Sequence, residues 1–152
     1  MPKYVDILVV EDDPLVSMNY VDILEDAGFN VLAADSLAQG RRELSVKDFS
    51  LIICDHDLGD GKGTTLVTEL KNSGRNIPVI YLSAALSSVL RQIEELPLVK
   101  KVISKPVLPQ DLLDSVNALV ADVALDRRAD KYQGLIGEDE RDTLLDAFKN
   151  IT

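Results

Sequence analysis

Val5-Asp6-Ile7-Leu8-Val9-Val10-Glu11-Asp12-Asp13-Pro14 decides the fold. Its aliphatic run is short and nearly continuous, as in a strand covered on both faces. Asp13-Pro14 then marks a helix start: an aspartate to cap the free N–H groups, and a proline at the first helical position, where its missing N–H is harmless. The following residues have helical spacing, with Val16, Tyr20, Ile23, Leu24 and Ala27 on the inward side, and Gly28 stops the helix.

The same alternation recurs along the chain. Further strands are predicted at Asn30–Ala33, Leu51–Cys54, Ile77–Leu82 and Lys101–Ile103. Helices are predicted from Ser36 to about Val46, over Thr64–Asn72, over Ser87–Glu95, and from Pro109 onward, where Leu112, Leu113, Val116, Leu119, Val120 and Val123 make an apolar stripe. Strand and helix alternate five times. The linkers are too short to reverse a strand without a helix, so the crossovers are right-handed and the sheet is parallel, with helices on both sides. In such α/β sheets ligands gather beyond the carboxyl ends of the strands.

The 152 residues suit one domain, and 46% apolar with 28% charged residues is ordinary globular usage. Sixteen Lys and Arg stand against 26 Asp and Glu, a net charge of −10, with 5% aromatics. Neither a basic groove nor a stacking platform is evident, so direct nucleic-acid binding is not expected. Cys54 is the sole cysteine, which precludes an internal disulfide and a cysteine-based zinc site and suits a reducing, cytoplasmic setting. The first apolar run is too short for a signal core or a membrane span, so no membrane association is expected.

The polar residues at the strand ends carry the chemistry. Glu11 and Asp12 follow the first strand, Asp55 and Asp57 end the third, Ser83 ends the fourth, and Lys105 follows the fifth. Three carboxylates about 5 Å apart repel by roughly 3 kcal/mol per pair at an effective dielectric near 20, so the cluster calls for a cation. All-oxygen ligands point to Mg²⁺, which commonly shares ligands with a phosphate. A lysine then holds one phosphoryl oxygen, a serine hydroxyl another, and a carboxylate between them is the in-line nucleophile. Asp55 has that place.

Four segments, Ile7 to Pro14, Ile52-Ile53-Cys54-Asp55-His56-Asp57-Leu58, Leu82-Ser83-Ala84 and Lys105-Pro106, together resemble the receiver domain of two-component response regulators, the CheY-like family. The likeness covers residues 3–124 and leaves 125–152 as a C-terminal extension. It implies a doubly wound, flavodoxin-like α/β fold with a five-stranded parallel sheet of order 2-1-3-4-5. It also implies a phosphorelay role, with one aspartate phosphorylated by a histidine kinase or a histidine phosphotransfer protein. Position by position, Asp55 resembles the phosphoacceptor, and Glu11 and Asp12 the acidic pair that holds Mg²⁺ together with Asp55. Asp57 corresponds to the residue lending a main-chain carbonyl to the metal, Ser83 to the hydroxyl that moves toward the phosphoryl group, and Lys105 to the family's lysine. The implied product is a switch acting on a downstream protein, not a conventional enzyme, and a homodimer across the fourth and fifth helices is compatible with it.

Two departures stand out. Where many receivers carry Tyr or Phe three positions before the lysine, this chain has Val102, so the usual aromatic switch is missing. Where proline often stands four places after the phosphoacceptor, it has Gly59, within Gly59-Asp60-Gly61-Lys62-Gly63, a turn expected to be more mobile and whose glycines let the backbone approach the metal. His56, the sole histidine, is expected to be structural or solvent-facing, with tuning of the phosphoryl lifetime as the alternative, and Cys54 to be a small core residue.

Two other classes compete. Asp55-His56-Asp57 has the Asp-x-Asp spacing of Mg²⁺-dependent phosphohydrolases similar to the haloacid dehalogenases, although their pair follows the first strand. A phosphorylation-independent scaffold is the other, and the complete set of acids, hydroxyl and lysine speaks against it. Within the extension, Arg127-Arg128 and the glycines at 134 and 137 are read as separating the fifth helix from a short amphipathic helix, Glu138–Lys149, with Leu144, Leu145 and Phe148 on one side. The extension is too short for a winged-helix output domain, so output is expected through protein contact or through sequence beyond this chain.

Overall fold

A computed structural model describes residues 5–84 and 87–131. Twelve elements follow in chain order: β1 (Asp6–Val10), α1 (Pro14–Asp26), β2 (Asn30–Ala34), α2 (Leu37–Val46), β3 (Leu51–Asp55), β4 (Asp57–Leu58), β5 (Gly61–Lys62), α3 (Gly63–Asn72), β6 (Val79–Ser83), α4 (Ser87–Glu94), β7 (Val99–Ser104) and α5 (Pro109–Lys131). The main sheet is parallel, in the order β2-β1-β3-β6-β7. With the two-residue strands β4 and β5 left out of the count, that is the expected 2-1-3-4-5 arrangement.

Local chemistry sets the element ends. The Asp13 carboxylate accepts from the Leu15 and Val16 N–H groups at 2.9 and 3.3 Å, and Pro14 opens α1. Gly28, at φ +95°, takes the left-handed turn that ends the helix region. Ser36 caps α2 through its hydroxyl, which accepts from Gln39 N–H at 3.1 Å.

The core has two halves, one on each face of the sheet. On one face Leu8, Ile52, Cys54, Val79 and Tyr81 pack with residues of α2, α3 and α4; on the other Ile7, Val9, Ile53, Ile80 and Leu82 pack with Tyr20 and Leu24 of α1 and Leu112 and Val116 of α5. Each fully buried Leu or Ile contributes about 1.5–3 kcal/mol relative to exposure. The central strands β1, β3 and β6 are buried almost throughout.

Three sequence expectations need correcting. β2 and β7 lie at the sheet edges and expose several residues each, so they are not covered on both faces. Ala27 is exposed, because it is the residue that closes α1 and no longer faces the core. Arg127 and Arg128 lie inside α5, which runs unbroken to Lys131, and so do not mark the end of the fifth helix. The predicted helix over 138–149 and the glycines at 134 and 137 lie outside the described residues.

Candidate functional site

Strands β1, β3, β6 and β7 deliver Glu11, Asp55, Ser83 and Lys105 to one edge of the sheet. Glu11 follows β1 and stays buried, held by its main-chain N–H donating to Ala34 O at 3.0 Å. Asp12, next in line, is exposed. Asp55 is the last residue of β3 and, beside Leu82 in the ladder, is 3% exposed. Ser83 ends β6, buried, and its main-chain oxygen accepts from Lys105 N–H at 3.0 Å, which ties the lysine's loop to the serine. The Lys105–Pro106 peptide is cis.

The side chains converge. Lys105 Nζ lies 2.7 Å from Asp55 Oδ1 and 3.8 Å from Glu11 Oε2. Carboxylate oxygens of Glu11, Asp12 and Asp55 lie within 4.8 Å of one another. Glu11 Oε2 is fully buried and, among the described residues, has no hydrogen-bond partner. Burial first, and the negative charge of Asp55 second, push the Glu11 carboxyl up to about 7. Burial of Lys105 works against its charge, but the hydrogen bond and charge of Asp55, with Glu11, outweigh it and hold the ammonium above its usual range. One lysine does not neutralise three acids.

A buried carboxylate oxygen that accepts no hydrogen bond among the described residues, beside two further acids, is what a hard dication satisfies, and the donor set is oxygen only. The residues therefore fit Mg²⁺. Glu11, Asp12 and Asp55 are the side chains that would hold it.

Asp57 behaves differently. Its side chain is exposed and ion-paired with Lys62 across the β4–β5 hairpin, and that hydrogen bond holds its carboxyl below the usual range. It does not join the three acids.

Other polar features were not legible beforehand. Asp60, in the turn between β4 and β5, accepts from Leu37 N–H at 2.9 Å and Ala38 N–H at 3.0 Å, so the glycine-rich turn caps α2. His56 is half-buried, and its Nδ1 lies 2.7 Å from the hydroxyl of Tyr81, which is wholly buried. A tyrosine within Val79-Ile80-Tyr81-Leu82-Ser83 was the signal for that pair, since a buried phenol seeks a partner. Gly63 has the close backbone approach: a Cβ there would overlap the Asp55 carbonyl oxygen and lie 2.8 Å from Cys54 Sγ. Cys54 is fully buried, as expected.

A doubly wound parallel sheet with an acidic pocket and a lysine at its carboxyl edge is an open α/β domain with its polar site where ligands gather in such sheets. Residues 7–117 match the family described as "Response regulator receiver domain". The chain belongs to that family. It is 30% identical over 114 residues to the transcriptional regulatory protein CssR of Bacillus subtilis, covering 75% of this chain and 50% of that one. A CheY-like receiver domain from Methanospirillum hungatei JF-1 superposes with TM-score 0.71 at 26% identity, over 76% of this chain and 93% of that one. The receiver domain of a signal transduction histidine kinase from Syntrophus aciditrophicus gives TM-score 0.71 at 29% identity, over 78% and 91% of the two chains. The chain spans half or less of the length of the first curated relatives it matches.

Proposed function

We propose that this chain takes a phosphoryl group onto Asp55 from a phosphohistidine partner, with Mg²⁺ held by Glu11, Asp12 and Asp55, and passes the resulting change of shape to a protein target. The observation that carries this reading is the 2.7 Å contact of Lys105 with Asp55 inside a cluster whose Glu11 Oε2 is buried and, among the described residues, accepts no hydrogen bond. An Asp55 oxygen forms the new O–P bond as the P–N bond to the donor imidazole breaks, and the electron pair stays on the ring nitrogen. When bound, Mg²⁺ supplies charge neutralisation for the transferring phosphoryl oxygens. Lys105 holds one phosphoryl oxygen and the Ser83 hydroxyl another. Water later cleaves the acyl phosphate and resets the switch. The Asp57 side chain, engaged with Lys62, leaves its main-chain carbonyl as the group it offers the metal.

Phosphorylation adds about −1.5 to −2 charge where one lysine already faces three acids. Moving a 1:99 population to 99:1 takes about 5.5 kcal/mol, within reach of several charge-assisted hydrogen bonds. Leu15 and Met18 on α1 and Leu108, three residues after Lys105, are exposed apolar residues, and Met18 lines a cavity with Glu11 and Asp12, which suits docking of a donor protein. No helix among the described residues is long and apolar enough to cross a membrane, and a cytoplasmic setting is consistent with that and with the receiver family.

Incubation with acetyl phosphate and Mg²⁺ tests the function. One stable equivalent on Asp55, lost in Asp55→Asn, is expected, and Lys105→Ala should still label but respond weakly in shape. Sustained turnover of a phosphomonoester would make the chain a hydrolase; no reaction at all would make it a scaffold.

A further inference from the structure

His56 is the single residue between Asp55 and Asp57, and its polar groups are fixed from three directions. Its main-chain N–H donates to Leu82 O at 2.9 Å, extending the β3–β6 ladder one residue beyond β3. Its carbonyl accepts from Gly63 N–H at 2.9 Å, at the first residue of α3. Its Nδ1 meets the Tyr81 hydroxyl at 2.7 Å, with the two rings tilted at 58°.

Tyr81 is itself immobilised. Its ring is wholly buried on the α2–α4 side of the sheet, and the main-chain and side-chain groups of Thr64 in the first turn of α3 interact with the same phenol oxygen. Burial keeps the phenol protonated, so its O–H is available to donate to Nδ1. Tyr81 also stands directly beside Val102 in the β6–β7 ladder. At this level of the sheet the aromatic ring thus sits one strand inward of Val102, where it reaches the residue after the phosphoacceptor.

We propose that His56 and Tyr81 are a positioning pair, which fixes the peptide joining Asp55 to Asp57 and thereby sets how tightly the site holds a divalent cation and how long the phosphoryl group stays on Asp55. The inference rests on the proposed receiver chemistry of Asp55 and deepens it. The two residues touch neither cation nor phosphate. They act through the backbone: with the His56 ring anchored, the Asp55 carboxylate and the Asp57 main chain keep one relative placement, and ligands held in place bind more tightly than ligands that must be ordered on binding.

Tyr81→Phe removes one hydroxyl and keeps the packed ring, while His56→Phe keeps a ring and removes Nδ1. Calorimetric titration of each full chain with MgCl₂ should show affinity weakened roughly tenfold, the range seen when outer groups that orient ligands are lost. Acyl phosphate formed from acetyl phosphate should decay several-fold faster, with stoichiometry at Asp55 retained. His56→Asn, whose Oδ1 falls where Nδ1 was, should restore both values. The double variant His56→Phe/Tyr81→Phe should be no worse than either single one, because both act along one path. A merely structural pair would shift the melting temperature alone.

Should a phenylalanine variant not fold, Thr64→Val, which removes the hydroxyl facing the same phenol, is measured in its place and should weaken Mg²⁺ in the same direction. Unchanged Mg²⁺ affinity and lifetime in the folded variants would overturn the inference, as would equal losses in His56→Asn and His56→Phe. A wild-type chain that neither binds Mg²⁺ nor labels would instead overturn the receiver chemistry itself.

Discussion

Glu11 is a buried acid set against two other carboxylates, Asp55 and Asp12. Its carboxyl is raised from 4.5 to about 7, so the folded chain holds the proton more tightly than the unfolded chain does. The stabilisation this gives is complete below pH 4.5 and is lost as pH rises through about 7. In metal-free buffer the melting temperature is therefore expected to fall across that window, and Glu11→Gln should flatten the fall. A decline of the same size in the glutamine variant would assign it to other groups. Gly63 carries a steric constraint of the same local kind. Gly63→Ala would force its Cβ against the Asp55 carbonyl, and overpacking of this sort costs typically about 1–3 kcal/mol, readable by urea denaturation. A neutral substitution there would mean that α3 can retreat from β3.

Elements meet through a few long-range bonds, and the hairpin β4–β5 is the clearest case. Asp60 reaches back to the first turn of α2, so the segment after the phosphoacceptor is tied to a neighbouring helix. Bonds from the Leu37 and Ala38 N–H groups hold its carboxyl below the usual 3.8, so its contribution is present above that pH and is lost as pH falls through the lower folded value. Near neutral pH, Asp60→Ala should speed amide exchange at Leu37 and Ala38 several-fold, with labelling of Asp55 unchanged. Unaltered exchange would show that Ser36 alone caps the helix. Why this turn was only partly legible follows from its partners. Gly59-Asp60-Gly61 reads as a turn from composition, whereas its partner Leu37 lies 23 residues away. By contrast, the caps at Asp13 and Ser36 bond two or three residues along the chain, so local sequence reveals them.

At the scale of the whole molecule, the proposed cation and the fold stabilise each other. A ligand at 100 times its dissociation constant adds about 2.7 kcal/mol to unfolding stability. The Mg²⁺-induced rise in melting temperature should be larger near about pH 8 than near about pH 5, since the proton on Glu11 competes with the metal. An increment independent of pH would exclude Glu11 from the ligand set. The two-sided core also makes a prediction: Leu112, fully buried on the inner face of α5, should cost about 2–5 kcal/mol when replaced by Ala, measured by denaturant titration.

The sequence by itself determined the alternation of strands and helices, the caps, and which acids, hydroxyl and lysine stand at strand ends. Those features depend on apolar runs and bonds between near neighbours. Tertiary structure alone decided that His56 meets Tyr81, that Asp60 caps α2, that the Asp57 side chain leaves the acidic cluster for Lys62, and that β2 and β7 stay half exposed. Strand order and register set most of these outcomes, because they choose which distant residues become neighbours, and one residue of slip would turn each side chain to the opposite face.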